Sequence, residues 1–142
     1  MEKELQRKYL QLQLMKQQMN ALLEEKIMLN ERITELVSTI DAVKKLEHVR
    51  KGQEIWSPLG SAAFLDSDVK DTSKILIGVG AGVILKKTRE DAIAILQSRL
   101  DEIDAIDKEL ITEINKYNNQ LSVLEPEVQR LAEAEQAKES RK

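Results

Sequence analysis

Lys74-Ile75-Leu76-Ile77-Gly78-Val79-Gly80-Ala81-Gly82-Val83-Ile84-Leu85-Lys86-Lys87 is the stretch that decides the fold of this chain. Two apolar runs rich in Ile, Leu and Val flank a glycine-punctuated centre, the pattern of a β-hairpin. Upstream, Glu54-Ile55-Trp56-Ser57-Pro58-Leu59 reads as a strand ended by proline, and Ala62 to Val69 reads as its partner. Asp71-Thr72-Ser73 marks the turn that follows; Lys74 to Val79 is the third strand and Val83 to Lys87 the fourth. Gly78, Gly80 and Gly82 lack both the dinucleotide-binding spacing and the lysine–hydroxyl ending of a P-loop. An apolar strand follows them instead of a helix, so they read as strand bends and close backbone packing.

Outward from this insert the period changes. Alternating steps of three and four from Leu5 give Leu5, Lys8, Leu12, Met15, Met19, Leu22, Lys26, Leu29, Ile33, Leu36, Ile40 and Val43, of which only the two lysines are polar. The same steps from Ile93 give Ile93, Leu96, Leu100, Ile103, Asp107, Leu110, Ile114, Tyr117, Leu121, Leu124, Val128 and Leu131, interrupted only by Asp107. A 3.5-residue period sustained this long keeps one stripe on a partner helix and marks a coiled coil. Equal seams flanking a compact insert predict two helices of roughly 58 Å folded back antiparallel. Lys26 and Asp107 then fall at similar depth and are expected to form a cross-helix ion pair that fixes register.

Boundary signals agree. Thr88-Arg89-Glu90-Asp91 resembles a capping box, and Gly52 after Arg50-Lys51 reads as a helix stop. The predicted organisation is a helix over 1–51, a double hairpin over 52–87 and a helix over 88–142, all one domain. Pro126 is expected to kink or loosen the last turns of the second helix, and the polar tail after Leu131 to fray.

Composition narrows the functional classes. Tyr9, Trp56, Phe64 and Tyr117 are the only aromatics, too few for a thick globular core. Cysteine is absent and His48 is the single histidine. Disulfides, thiolate metal sites and a Ser/His/acid constellation are therefore not expected, and neither is an enzyme or a cofactor. His48 reads as complementing the end of the first helix. The net charge of −3 gives no basic footprint for nucleic acid. The Met1-Glu2-Lys3-Glu4-Leu5 start has no signal-peptide core, and Val79 to Leu85 is too short to span a bilayer. A cytoplasmic location is expected.

Four short strands bury too little to be stable alone and leave edges unpaired. The insert is therefore expected to complete a sheet or barrel with other subunits. Ile55, Trp56, Leu59, Phe64, Leu65, Ile75, Ile77, Val79, Val83 and Leu85 are the candidate oligomerisation residues.

The order helix, two hairpins, helix, with Ser57-Pro58-Leu59-Gly60-Ser61-Ala62-Ala63-Phe64-Leu65, Lys70-Asp71-Thr72 and Ile77-Gly78-Val79-Gly80-Ala81-Gly82-Val83, resembles an alpha-type prefoldin subunit of the archaeal kind. Ser57 stands where that family's Val-Pro-Leu-Gly pattern usually has valine. The resemblance covers nearly the whole chain. It implies a double β-barrel shared by two alpha and four beta subunits, with coiled coils hanging from it. It also implies ATP-independent capture of unfolded polypeptides and their transfer to a group II chaperonin, with the barrel and subunit contacts falling at 55–65 and 75–85.

A holdase needs apolar surface within reach of a flexible chain. The open ends of the helices are the candidate client-binding sites, with Leu5, Tyr9, Leu10, Leu12, Leu14, Met15, Met19, Leu124, Val128 and Leu131 as candidate residues. Leu10 and Leu14 lie off the seam, as do Ile27, Met28 and Val123. The alternative reading is a structural or adaptor coiled coil that joins partner proteins. The seams alone permit it, but a simple tether has no use for a barrel-forming insert.

Overall fold

A computed structural model of the protein describes residues 2–141. Helix α1 (Glu2–Lys45) passes through a 3₁₀ turn (Leu46–His48) to strand β1 (Glu54–Gly60). Strands β2 (Ala63–Asp68), β3 (Lys74–Gly80) and β4 (Val83–Thr88) follow, and helix α2 (Arg89–Glu139) closes the chain. By internal packing there are two compact units. One holds residues 32–103; the other holds 1–31 with 104–142.

In the unit of residues 32–103, β1 pairs antiparallel with β2, and β3 with β4, as two separate two-stranded sheets. Each hairpin turns through three consecutive positive-φ residues, Gly60-Ser61-Ala62 in the first and Gly80-Ala81-Gly82 in the second. Ala62, expected to start the second strand, sits in the turn instead at φ 63. The β3–β4 hairpin lays one face on the helices. Ile77 is buried with Leu36, Ile40, Val43, Ala92 and Leu96, and Ile75 packs against the same cluster. Burying each of the larger aliphatic side chains contributes about 1.5–3 kcal/mol, so this core carries that unit. No residue of β1 or β2 is buried.

Thr88 caps α2 as its sequence predicts, with the Asp91 backbone N–H donating to Thr88 Oγ1 at 3.1 Å. The first helix stops earlier than Gly52. After Lys45 the chain tightens to 3₁₀, Val49 N–H donates to the Leu46 carbonyl at 3.0 Å, and Val49 is extended. Gly52 then turns the chain at φ 87.

In the other unit, α1 and α2 bury Leu12, Met15, Leu124 and Val128, with Leu5, Tyr117 and Leu121 packed alongside. Cross-helix polar contacts align the pair. Lys26 Nζ meets Asp107 Oδ1 at 2.6 Å, as expected from the seam. Lys8 pairs with Glu127, Lys16 Nζ meets Glu125 Oε1 at 2.8 Å, and Tyr117 donates its hydroxyl to Gln18 Oε1 at 2.6 Å. Helix α2 runs through Pro126 to Glu139, so the tail after Leu131 is helical where fraying was expected. Its Ala, Glu, Gln and Lys residues are strong helix formers.

Candidate assembly and client-binding surfaces

The hairpins differ in what they offer a neighbour. On β1–β2 nearly every apolar side chain faces solvent: Trp56 is 67% exposed, Leu59 68%, Phe64 57%, Leu65 55% and Ile55 42%. On β3–β4 the candidates differ in how far they are covered, although the register puts Ile75, Ile77, Val79 and Leu85 on one face. Ile77 and Ile75 face the chain's own helices and are taken up by its core, whereas Val79, Val83 and Leu85 remain exposed. Leu76 and Ile84 were absent from the expected set, yet they are 70% and 65% exposed. A continuous Ile-Leu-Ile run hides which members share a face; only the observed register separates them.

The second hairpin is also tied down by Arg99, whose guanidinium donates to the Gly78 carbonyl, and by Arg89 N–H donating to the Ser73 carbonyl at 3.3 Å. At its base Ser73 donates both its N–H and its hydroxyl to Asp71 Oδ1. Those hydrogen bonds hold the Asp71 carboxyl below its ordinary range, with the cations Lys86 and Lys51 adding to the effect.

The client-binding candidates divide by burial. Leu12, Met15, Leu124 and Val128 form the core of their unit, and Leu5, Met19 and Leu131 are half-buried. Tyr9, Leu10 and Leu14 are all more than half exposed, on a helix whose seam is already filled. Across a shallow groove of about 490 Å³, Val123 joins Met15 and Leu124 between the polar rims of Gln11, Gln120 and Glu127. Met28 and Ile27 are exposed as their off-seam positions predicted. Leu23, Ile106 and Ile111 add further exposed apolar surface to this unit. Their heptad positions flank the seam, a signal available in the sequence but masked by the stronger seam pattern.

Charge at this site is local. The hydrogen bond between Lys8 and Glu127 raises the ammonium above its usual range and lowers the carboxyl below its own. Among the described residues no group of His, Cys, Asp or Glu could hold a metal ion, and no helix is long and apolar enough to cross a membrane.

The family model described as Prefoldin subunit matches residues 15–134. The protein named Prefoldin subunit alpha in Methanococcus vannielii is 32% identical over 134 residues, covering 94% of this chain and 90% of the relative. Its namesake in Methanococcus aeolicus is 31% identical and covers 82% of this chain and 78% of the relative. Among solved structures, filamentous PFD from Methanocaldococcus jannaschii matches with a TM-score of 0.71 at 20% identity, over 82% of this chain and 96% of that one. The prefoldin beta subunit from Thermococcus strain KS-1 matches with a TM-score of 0.59 at 18% identity, over 90% and 91%. At those identities the two structures speak to the fold alone.

Proposed function

The chain belongs to the prefoldin family, and from that premise we propose that it is an alpha-type subunit of an ATP-independent holdase. In this reading it assembles with beta-type subunits, two alpha to four beta, through its hairpins. It captures non-native polypeptides in the cytoplasm and passes them to a group II chaperonin.

The observation that carries the client-binding half is the apolar surface of Tyr9, Leu10, Leu14 and Val123. These side chains stand exposed beside a seam that is already packed. An adaptor helix pair has no need of apolar groups outside its seam, whereas a holdase needs them. Several weak contacts on one flexible chain add up through avidity when more than one subunit engages it.

The test is aggregation of a chemically denatured model substrate in the presence of this chain and a beta-type partner. Serine at positions 10, 14 and 123 (Leu10→Ser, Leu14→Ser, Val123→Ser) should abolish protection while leaving the assembly's sedimentation unchanged. Full protection by the triple variant would remove the client-binding reading. Tight stoichiometric binding of one folded partner, with no effect on unfolded chains, would favour the adaptor.

A further inference from the structure

We propose that Pro126 and the two cross-helix ion pairs beside it form a latch. Closed, the latch covers the apolar seam of Leu12, Met15, Leu124 and Val128; open, it turns that seam into a second client-binding surface. The inference rests on the holdase reading and adds the surface that the closed helix pair hides.

Proline has no N–H, so the Ser122 carbonyl loses its helical hydrogen bond, and the ring disfavours helical backbone at the preceding residue, Glu125. Helix α2 nevertheless runs straight through this point. What steadies it comes from α1. Lys16 Nζ meets Glu125 Oε1 at 2.8 Å on one side of the proline, and Lys8 pairs with Glu127 on the other. With Leu124 and Val128 on the seam, the intervening Glu125 and Glu127 fall on its two opposite flanks. The weakest point of the helix is thus grasped from both sides by lysines of its partner.

Beneath the latch lies something worth covering. Leu12, Met15, Leu124 and Val128 are each less than a tenth exposed. The next seam residues toward the chain ends, Leu5 and Leu131, are half-buried, so packing loosens beyond this level. Deeper in the same unit, Tyr117 bonds Gln18 and Lys26 pairs with Asp107. Those contacts stay made when the ends part, so opening at Pro126 releases a short segment and leaves the helix pair joined.

The way in is already present. The groove of about 490 Å³ has Met15, Val123 and Leu124 along it and Glu127 on its rim. An apolar side chain of an unfolded polypeptide that enters beside exposed Val123 touches two seam residues at once. It also crowds Glu127 away from Lys8. Client occupancy and opening are therefore linked, because a ligand that fits the open form better shifts the population toward it. Lys16 and Glu125 are each about half exposed, so their pairing is weak and yields to salt or to a competitor.

The experiment uses the full chain assembled with a beta-type partner. Two readouts are taken: amide exchange over residues 122–131, and affinity for a labelled, reduced and carboxymethylated protein that cannot refold. Glu125→Lys with Glu127→Lys sets lysine against lysine across the seam; Lys8→Glu with Lys16→Glu sets acid against acid. Each pair of substitutions should speed exchange by about fivefold or more and tighten probe binding in proportion. Because the two change net charge in opposite directions, tighter binding in both excludes steering by the probe's own charge. All four substitutions together should close the latch again, to within about threefold of wild type. Glu4 and Arg130 also face the Lys8–Glu127 pair, so the Lys16–Glu125 half carries most of that recovery. Pro126→Ala, which restores the helical hydrogen bond, should slow exchange and weaken probe binding.

Four outcomes would overturn the proposal: unchanged exchange in the reversed variants, faster exchange with no gain in probe binding, a fourfold variant as open as its parents, or a Pro126→Ala chain that binds the probe as well as wild type. A wild-type assembly that binds no unfolded probe at all would instead fail the holdase reading, and the exchange rates alone would then decide whether Pro126 and its ion pairs act as a latch.

Discussion

Within residues 32–103 the paired helices meet through side chains that are all apolar, and a strand residue, Ile77, completes the cluster. In the other unit the seam is broken by Lys8, Lys26 and Asp107, and cross-helix ion pairs stand where further packing could have been. The first arrangement gains from burial and shape. The second gives up some burial for groups that recognise a particular partner across the seam, and so resists slippage. The lesson is a division of labour along continuous helices: one stretch holds the second hairpin in place, while the other fixes alignment and leaves apolar groups exposed.

The comparison breaks most readily at its apolar end. Ile77→Ala or Leu96→Ala should destabilise the chain by about 2–5 kcal/mol, read as a fall in Tm and as lost hydrogen-exchange protection in β3. A loss under 1 kcal/mol would mean the hairpin does not depend on that core. Lys26→Leu combined with Asp107→Leu should raise stability by about 1–3 kcal/mol, because a part-buried ion pair is replaced by packing. Lys26→Leu alone should lower it, by stranding Asp107. A double variant no more stable than wild type would show that the pair contributes net stability. Ala62→Gly should stabilise the first hairpin by about 1 kcal/mol, since it relieves a left-handed alanine, and the same residue type already occupies the matching Gly82. Unchanged amide protection in β1 and β2 would count against that strain.

The smallest effect separates the units by pH. Glu127 titrates below its ordinary 4.5 in the fold because Lys8 hydrogen-bonds it. Its contribution is present above that ordinary value and is lost as pH falls through the depressed one. Lys8 is raised above 10.5 by the same partner, so its contribution is present below 10.5 and is lost as pH rises through the raised value. Exchange protection around Val128 should weaken slightly in acid, and Glu127→Gln should flatten that limb. The Leu36–Leu96 cluster contains no titrating group and should hold steady.

Much of this was legible from residue order. A strict 3.5-residue period fixes which side of each helix is covered, so Lys26 and Asp107 could be matched from depth alone. Thr88 and the hairpin glycines mark their positions through local backbone demands. What stayed hidden depends on register across strands. Leu76 and Ile77 are neighbours of equal hydropathy, yet one is open and the other is core. Burial of Leu12, Met15, Leu124 and Val128 follows from their seam positions, whereas sequence does not say whether the open ends of a helix pair stay closed enough to keep them from a client. The partner of Lys8 went unnoticed because Glu127 lies beside the seam instead of on it.

The exposed indole at position 56 has a practical consequence. It is the sole tryptophan, it stands two-thirds open on the first hairpin, and the two tyrosines lie on the helices. Excitation at the red edge of protein absorption therefore reports on one side chain at one surface. A blue-shifted emission maximum on mixing with another chain would register burial of that surface in real time, with no label attached.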